Sequence, residues 1–197
     1  MRYSSDHKTK TRSRILEQAG LLFRRKGFNS VGIDEIMGAA KLTRGGFYGY
    51  FKSKAELLTE IVRDEAGLGR MMRRREGTTP AALHSEATET LTGYLDPKNA
   101  NVIAKECTLA SLPSDVTRSN VKPAKDAYTE KILELAHEYD RTRTGTTPEP
   151  GAHPSQEALA AVVLSIGGFS IARAMNDEDL STALLDAARD KTLELLK

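Results

Sequence analysis

Apolar residues recur at helical spacing along most of the chain. Near its start, Ile15, Ala19, Leu22 and Phe23 stand at i, i+4, i+7 and i+8, which places them on one face of a helix. Gly27 follows this stripe and is a typical helix end. No segment alternates apolar and polar residues for long enough to predict a strand. The pattern therefore predicts an all-α fold.

Three further helices are predicted directly after this one. Residues 33–40 form a short apolar face, and Thr43 is a good N-cap for a second short helix. Ser53, with Glu56 three residues later, forms a capping-box pattern that predicts the start of a fourth helix. We expect this fourth helix to continue to about Arg75.

The rest of the chain predicts more helices, about nine in all. Thr79 followed by Pro80 marks a helix start, and the stretch 141–154, rich in Thr, Pro and Gly, is predicted to be a loop. The later helices are expected at roughly residues 80–95, 100–112, 119–140, 154–175 and 180–197.

The charge distribution divides the chain in two. Residues 1–75 hold seventeen Lys and Arg against eight Asp and Glu, a net charge of +9, whereas residues 76–197 carry a net charge of −7. A basic first third favours an anionic partner, either nucleic acid or a membrane surface. The chain has no apolar run of about 18 residues and lacks an amphipathic helix rich in aromatic and basic residues. We therefore predict no membrane partner.

Few residues suggest catalysis or metal binding. Cys107 is the only cysteine, so a disulfide framework is impossible and a cytoplasmic location is predicted. The four histidines are scattered, and the sequence shows no metal-ligand cluster, phosphate-binding loop, nucleophile motif or carboxylate pair. We predict no metal, no cofactor and no enzymatic activity.

The stretch Lys41–Phe51, KLTRGGFYGYF, combines glycines with aromatic residues beside a basic helix. Two short helices joined by a tight turn are typical of a helix-turn-helix, whose second helix enters the major groove of DNA. Glycine there lets the backbone approach DNA closely, tyrosine hydroxyls can reach phosphates, and Phe47 and Phe51 can anchor the helix in the core. The predicted DNA-contacting residues are Lys41, Thr43, Arg44, Gly45, Gly46, Tyr48, Tyr50 and Lys54.

The segment Ile15–Leu58 resembles the TetR family of bacterial transcriptional regulators. The positions that match the family's signature are Ile36, Ala39, Ala40, Leu42, Thr43, Arg44, Gly45, Phe47, Tyr48, Phe51, Ser53, Lys54, Glu56 and Leu57. The chain departs from the signature at Gly49-Tyr50 and at Lys41, where the family commonly has a turn glycine. If the turn requires a left-handed residue, Lys41 carries strain of about 1 kcal/mol.

The resemblance implies a three-helix helix-turn-helix DNA-binding head over residues 1–52. A helical effector-binding and dimerisation domain over residues 53–197 is implied to follow it. The function implied is that of a ligand-responsive transcriptional regulator. Its favoured mode is a repressor that binds a palindromic double-stranded DNA operator as a homodimer and responds to a small-molecule effector. A constitutive or architectural DNA-binding protein without an effector is the alternative.

The resemblance also implies that the last two helices build the dimer. The apolar residues expected at that interface are Leu159, Val162, Val163, Ile166, Leu184, Leu185 and Ala188. Gly168 would permit close crossing of the helices, so a bulky residue at that position is expected to loosen the dimer.

A cavity in the second domain is expected to be lined mainly by apolar side chains. Such a pocket favours a small apolar or aromatic ligand held by a few polar groups, here the hydroxyl of Tyr94 or Tyr128. Burial of Cys107 favours a thiol that borders the pocket over one that reacts as a sensor. The candidate pocket residues are Met71, Leu91, Tyr94, Cys107, Leu112, Tyr128, Ile132 and Phe169.

Overall fold

The computed structural model describes residues 3–99, 107–149 and 151–197, with side chains from Asp6 onward. Over these residues the backbone forms eleven α-helices and no strand, which confirms the predicted all-α class. The helices are α1 Tyr3–Lys26, α2 Ile33–Ala39, α3 Lys54–Arg63, α4 Leu68–Arg73, α5 Pro80–Tyr94, α6 Thr108–Ser111, α7 Pro113–Ser119, α8 Lys122–Thr144, α9 Gln156–Val162, α10 Gly168–Ala172 and α11 Glu178–Leu195. Within the described ranges, no helix has the length and apolar character that a membrane crossing needs.

The described residues group into two compact units. The head unit comprises the residues up to Asp64 together with Leu112–Tyr128, and the bundle unit comprises the described parts of 65–111 and 129–197. The head unit is thus assembled from two separate parts of the chain. The predicted limits, 1–52 and 53–197, separate a DNA-binding domain from an effector-binding and dimerisation domain. This division by function stays a prediction.

The head unit closes around the predicted apolar stripe of α1. Ile15, Ala19 and Phe23 of this stripe are fully buried. Gly27 ends α1 as predicted: it adopts φ +83°, and its N–H bonds to the Phe23 carbonyl at 2.8 Å. The second chain segment completes the same core with Leu112, Val116, Ala124 and Ala127.

The predicted fourth helix is shorter than expected. α3 begins at the expected cap, because the Ser53 hydroxyl accepts from the Glu56 N–H at 3.0 Å, but the helix ends at Arg63. The prediction of one helix to Arg75 was therefore wrong. Between α3 and α4, Gly67 has φ +105°, which is not a helical conformation. A Cβ on this residue would lie 2.6 Å from the Cys107 Cα.

Two later predictions also change. The predicted helix 119–140 corresponds to α8, which begins at Lys122 and runs on to Thr144 inside the predicted loop. Asn120 at φ 53° separates it from α7, Pro113–Ser119, which was not predicted. The predicted helix 100–112 lies partly outside the described residues, and its described end contains α6. α5 starts as predicted, with the Thr79 hydroxyl accepting from the Ala82 N–H at 3.2 Å.

The predicted helix 154–175 is continuous but contains a five-residue π-helical stretch, Val163–Gly167. At its centre the buried Ser165 hydroxyl bonds to the Ala161 carbonyl at 2.7 Å and accepts from the Tyr139 hydroxyl at 2.8 Å. The helix then ends at Ala172, before the predicted limit, and α11 follows with its cap at Asp177.

Part of the predicted dimer stripe is wrong. Val162, Ile166, Leu185 and Ala188 are buried within the bundle unit of a single chain. Gly168 likewise packs within the chain, because a Cβ there would lie 2.7 Å from the Ala188 Cβ. Helical periodicity predicts that a helix has an apolar face. It does not indicate whether that face is buried in the core of the same chain or in an interface with a second chain.

Candidate nucleic-acid interface and candidate ligand site

The turn after α2 holds a lysine in the left-handed conformation. Lys41 has φ 56°, its N–H bonds to the Gly38 carbonyl at 2.9 Å, and the Leu42 N–H bonds to the Met37 carbonyl at 2.8 Å. This pair of bonds is a Schellman motif, whose left-handed position usually carries glycine. The strain predicted for Lys41 is therefore present. The side chain of Lys41 is exposed.

The second short helix, Arg44–Gly49, is a 3₁₀ helix that we call the recognition helix. Phe47 is fully buried, and its ring lies 5.9 Å from that of Phe51, so the predicted aromatic anchor is confirmed. Tyr48 points away from the core and is 63% exposed. Arg44 is exposed as well, and its Nη1 lies 2.9 Å from Asp34 Oδ2.

Two glycines of the recognition helix are not required by the packing of the chain. A Cβ on Gly45 or Gly49 would meet no heavy atom within 4 Å, and neither residue has a positive φ. At Gly46 a Cβ would only reach ordinary contact, 3.6 Å from Met37 Cε. Glycine is a poor helix former. Two glycines facing open space therefore suit a surface that another molecule approaches closely.

The other predicted DNA contacts differ in exposure. Thr43 is exposed at the start of the recognition helix, whereas Tyr50 is half-buried and packs against the head core. Lys54 donates from Nζ to the Phe28 carbonyl at 2.9 Å and the Val31 carbonyl at 3.0 Å, and lies 4.4 Å above the Phe28 ring. Partial burial lowers the pKa of Lys54. The side chain thus ties α3 to the loop after α1, and its contact with phosphate stays a prediction.

The predicted ligand residues do not form one cluster. Tyr94, Cys107 and Phe169 come together in the bundle core, where the Tyr94 hydroxyl donates to Cys107 Sγ at 3.1 Å and the Tyr94 and Phe169 rings lie 4.9 Å apart. Leu91, one turn before Tyr94 on α5, is buried too.

The remaining members of the predicted pocket lie elsewhere. Leu112 belongs to the head core, and Tyr128 packs against that core. Met71 is 39% exposed beside a surface groove of about 320 Å³, and Ile132 is half-buried. The candidate pocket residues, which were predicted from their residue type and helix position, therefore belong to two different units.

Cys107 is enclosed on several sides. Its side chain is fully buried, Tyr94 bonds to its sulfur, and Gly67 leaves room only because it has no Cβ. Burial raises the pKa of the Cys107 thiol, although the Tyr94 hydroxyl acts in the opposite direction. Both the enclosure and the raised pKa oppose attack on an electrophile.

We therefore expect Cys107 to be protected from thiol reagents while the protein is folded. At pH 8, iodoacetamide should modify the native chain at least about 100-fold more slowly than the chain in urea, because modification must wait for opening of the core. Intact-mass spectrometry over time measures both rates. Native and unfolded chains reacting at similar rates would contradict the enclosed thiol.

Sequence reasoning missed two acidic residues near the predicted sites. Asp34 pairs with Arg44 on the exposed side of the head unit. Glu65 is fully buried in the bundle unit and bonds to Arg73 at 2.8 Å. The only sequence signal for Glu65 was its position in DEAGLGR, between the end of α3 and two glycines. Among the residues that the structure describes, no cluster of His, Cys, Asp and Glu suits a metal ion.

Comparison with known proteins supports the reading of the head unit as a DNA-binding element. Residues 15–61 match the profile described as "Bacterial regulatory proteins, tetR family". The chain is 32% identical over 93 residues to the uncharacterized HTH-type transcriptional regulator YfiR of Bacillus subtilis, covering 47% of this chain and 43% of that protein. It is 45% identical over 51 residues to the HTH-type transcriptional regulator AcrR of Shigella flexneri, covering 26% of this chain and 24% of that protein. The matched segments thus span less than half the length of these relatives.

The fold similarity extends over nearly the whole chain. A TetR-family transcriptional regulator from Cytophaga hutchinsonii has a TM-score of 0.66, with 94% of each chain covered and 19% sequence identity. At this identity the similarity shows a shared fold, while the family profile matches residues 15–61 of the head unit.

Proposed function

Since the chain belongs to the TetR family of bacterial regulatory proteins, we propose that it is a transcriptional repressor that binds a palindromic DNA operator as a homodimer. A small molecule in the bundle unit would release it from DNA. The observation that carries this proposal is the recognition helix, which is anchored by Phe47 and exposes Tyr48 beside two glycines that the chain's own packing does not require. A cytoplasmic location remains part of the prediction.

Charge supports a DNA partner for the head. The first 75 residues carry a net charge of +9, which matches the anionic phosphate backbone. Lys41, Thr43 and Arg44 are exposed at the turn and at the start of the recognition helix, so their side chains are available for phosphates and base edges. In this proposal Arg44 leaves its surface ion pair with Asp34 and binds a DNA base instead. Tyr48 contacts a phosphate or a thymine methyl group.

A homodimer is supported by an apolar stripe on the surface of the C-terminal helices. Leu159, Val163 and Ile171 are 41%, 69% and 55% exposed, and follow one another on one side of the helix with Gly167 between the last two. A Cβ on Gly167 would meet no heavy atom within 4 Å. Leu180 on α11 adds another exposed apolar side chain. A second copy of the chain, related by a two-fold axis, would cover the same stripe on both subunits.

The recognition helix can be tested with an operator selected from random duplexes. We expect Arg44→Ala to cost about 1–3 kcal/mol of binding free energy if Arg44 contacts a base, with reduced discrimination against a scrambled duplex. Tyr48→Ala should also weaken binding. Fluorescence anisotropy at several salt concentrations separates base contacts from phosphate contacts, because losing a phosphate contact lowers the salt dependence.

A matched control is Arg173→Ala, which removes one exposed positive charge from the bundle unit. Its affinity for the operator should be close to that of the wild type. If Arg44→Ala and Tyr48→Ala also bind the selected operator with unchanged affinity, the proposed interface is wrong.

A further inference from the structure

A carboxylate in the bundle unit has an oxygen that no described group satisfies. Glu65 lies in the break between α3 and α4, and its side chain is fully buried. Its Oε2 accepts from Arg73 Nη2 at 2.8 Å, whereas its Oε1 has no hydrogen-bond partner among the described residues. An unpaired acceptor on a buried charged group is costly, and native proteins rarely keep one.

The chain also keeps a glycine that makes room for this carboxylate. Gly69 is the second residue of α4. A Cβ at this position would lie 2.7 Å from Glu65 Oε2 and 3.2 Å from Arg73 Nη1. A side chain at position 69 would therefore displace the carboxylate or its partner. Gly69 thus leaves free the space that the Glu65 carboxylate occupies.

The surroundings of Glu65 include aromatic and sulfur groups. Burial is the main cause of the raised pKa of both Tyr94 and Cys107, and the negative charge of Glu65 raises both pKa values further. Gly67, two residues after Glu65, packs on Cys107: a Cβ there would lie 2.8 Å from the Cys107 sulfur, to which the Tyr94 hydroxyl donates. The Tyr94 ring packs on Phe169, and both side chains are fully buried. A molecule that reached Glu65 Oε1 would thus lie in a largely apolar, aromatic environment.

The charges near Glu65 determine which kind of donor suits it. Burial raises the pKa of Glu65, while Arg73, Arg70 and Lys131 oppose that rise. Arg73 also lies 2.9 Å from Glu134. A ligand cation would add a further positive charge beside three basic side chains, and an anion would be repelled by the carboxylate it must approach. A neutral hydroxyl or N–H donor satisfies Oε1 without either penalty.

We propose that Glu65 Oε1 is the polar anchor of the effector site, and that the effector is an uncharged, largely aromatic molecule with a hydroxyl or N–H donor. The regulatory meaning of this site rests on the proposed function, but the binding itself does not. Glu65 stands two residues after the end of α3 in the chain. The carboxylate is therefore close in sequence to the end of that helix.

The test compares compounds that differ only in the donor. Isothermal titration calorimetry on the full chain would use 2-naphthol against 2-methoxynaphthalene, phenol against anisole, and 2-naphthoate and 2-naphthylmethylamine as charged probes. We expect the hydroxyl compounds to bind about tenfold or more tightly than their ethers and than the charged probes. Glu65→Gln and Gly69→Ala should remove most of this difference.

Gly93→Ala is the matched control for Gly69→Ala. Gly93 lies on α5, and a Cβ there would meet no heavy atom within 4 Å, so the preference for hydroxyl compounds should persist. Circular dichroism checks the fold of each variant, and Gly69→Ala carries the test if Glu65→Gln fails to fold. Equal binding of hydroxyl compounds and ethers, a preference for the amine, or no binding of either hydroxyl compound would overturn the proposal.

Operator release, measured separately by anisotropy, distinguishes this proposal from the proposed function. Hydroxyl-selective binding that depends on Glu65 but leaves the operator complex intact would support the site and contradict the ligand response. A chain that binds no operator would contradict the proposed function, while the calorimetric comparison would still decide the role of Glu65.

Discussion

Replacing Gly67 by alanine is expected to destabilise the protein by about 3 kcal/mol or more. Gly67 has φ +105° and ψ −144°, a backbone conformation that is nearly restricted to glycine. The new methyl group would also lie 2.6 Å from the Cys107 Cα and 2.8 Å from its sulfur. Because backbone cannot move aside as a flexible side chain can, both the strain and the overlap must be accommodated by the bundle core.

Urea unfolding followed by circular dichroism measures this effect. Gly93→Ala is again the matched control, since its added methyl group meets open space and alanine is the better helix former. Its free energy of unfolding should be unchanged or slightly higher. If Gly67→Ala and Gly93→Ala have the same free energy of unfolding, the close packing of Gly67 on Cys107 is wrong.

Replacing Val163 by glutamate is expected to weaken the proposed homodimer by about 100-fold or more. Val163 is the most exposed of the large apolar residues on the C-terminal helices, at 69%. In an isologous interface the substitution occurs twice, so two carboxylates would be buried without partners. Because operator binding by a two-fold dimer depends on both heads, affinity for the palindrome should fall as well.

Sedimentation velocity over a range of concentrations measures the association. Ala81→Glu, at an exposed position in the first turn of α5, is the control for added charge and should leave the dimer intact. Gly168→Phe should behave differently from Val163→Glu: it would collide with Ala188 of the same chain and lower the free energy of unfolding. A wild-type chain that is monomeric at all concentrations would contradict the homodimer.

The parts of the fold that were predicted correctly depend on neighbours in sequence. The caps at Ser53 and Thr79, the helix end at Gly27 and the left-handed turn at Lys41 all involve groups within a few residues. The aromatic anchor of the recognition helix was predictable for the same reason, since Phe47 and Phe51 stand one helical turn apart.

The predictions that failed depend on residues far apart in the chain. Gly67, in the break where a continuous helix was expected, packs on Cys107, forty residues later in the chain. Leu112 was predicted to line a ligand pocket, and the structure instead places it in the head core. The residues next to Glu65 in sequence do not predict its unpaired oxygen. Whether that oxygen has a partner depends on where the fold places groups from other parts of the chain. Helical periodicity indicates an apolar face but not which surface covers that face.

The two-part composition of the head unit has a consequence for synthesis on the ribosome. Ala124 and Ala127 belong to the same core as Ile15 and Phe23, so the final contacts of this core span more than a hundred residues of chain. A nascent chain that has only its first 64 residues lacks those side chains. Its head core can be completed only after residues 65–128 have also been synthesised. Chimaeras that join this head to another regulator's effector domain at residue 64 would leave the core open. A complete transplant requires residues 112–128 as well.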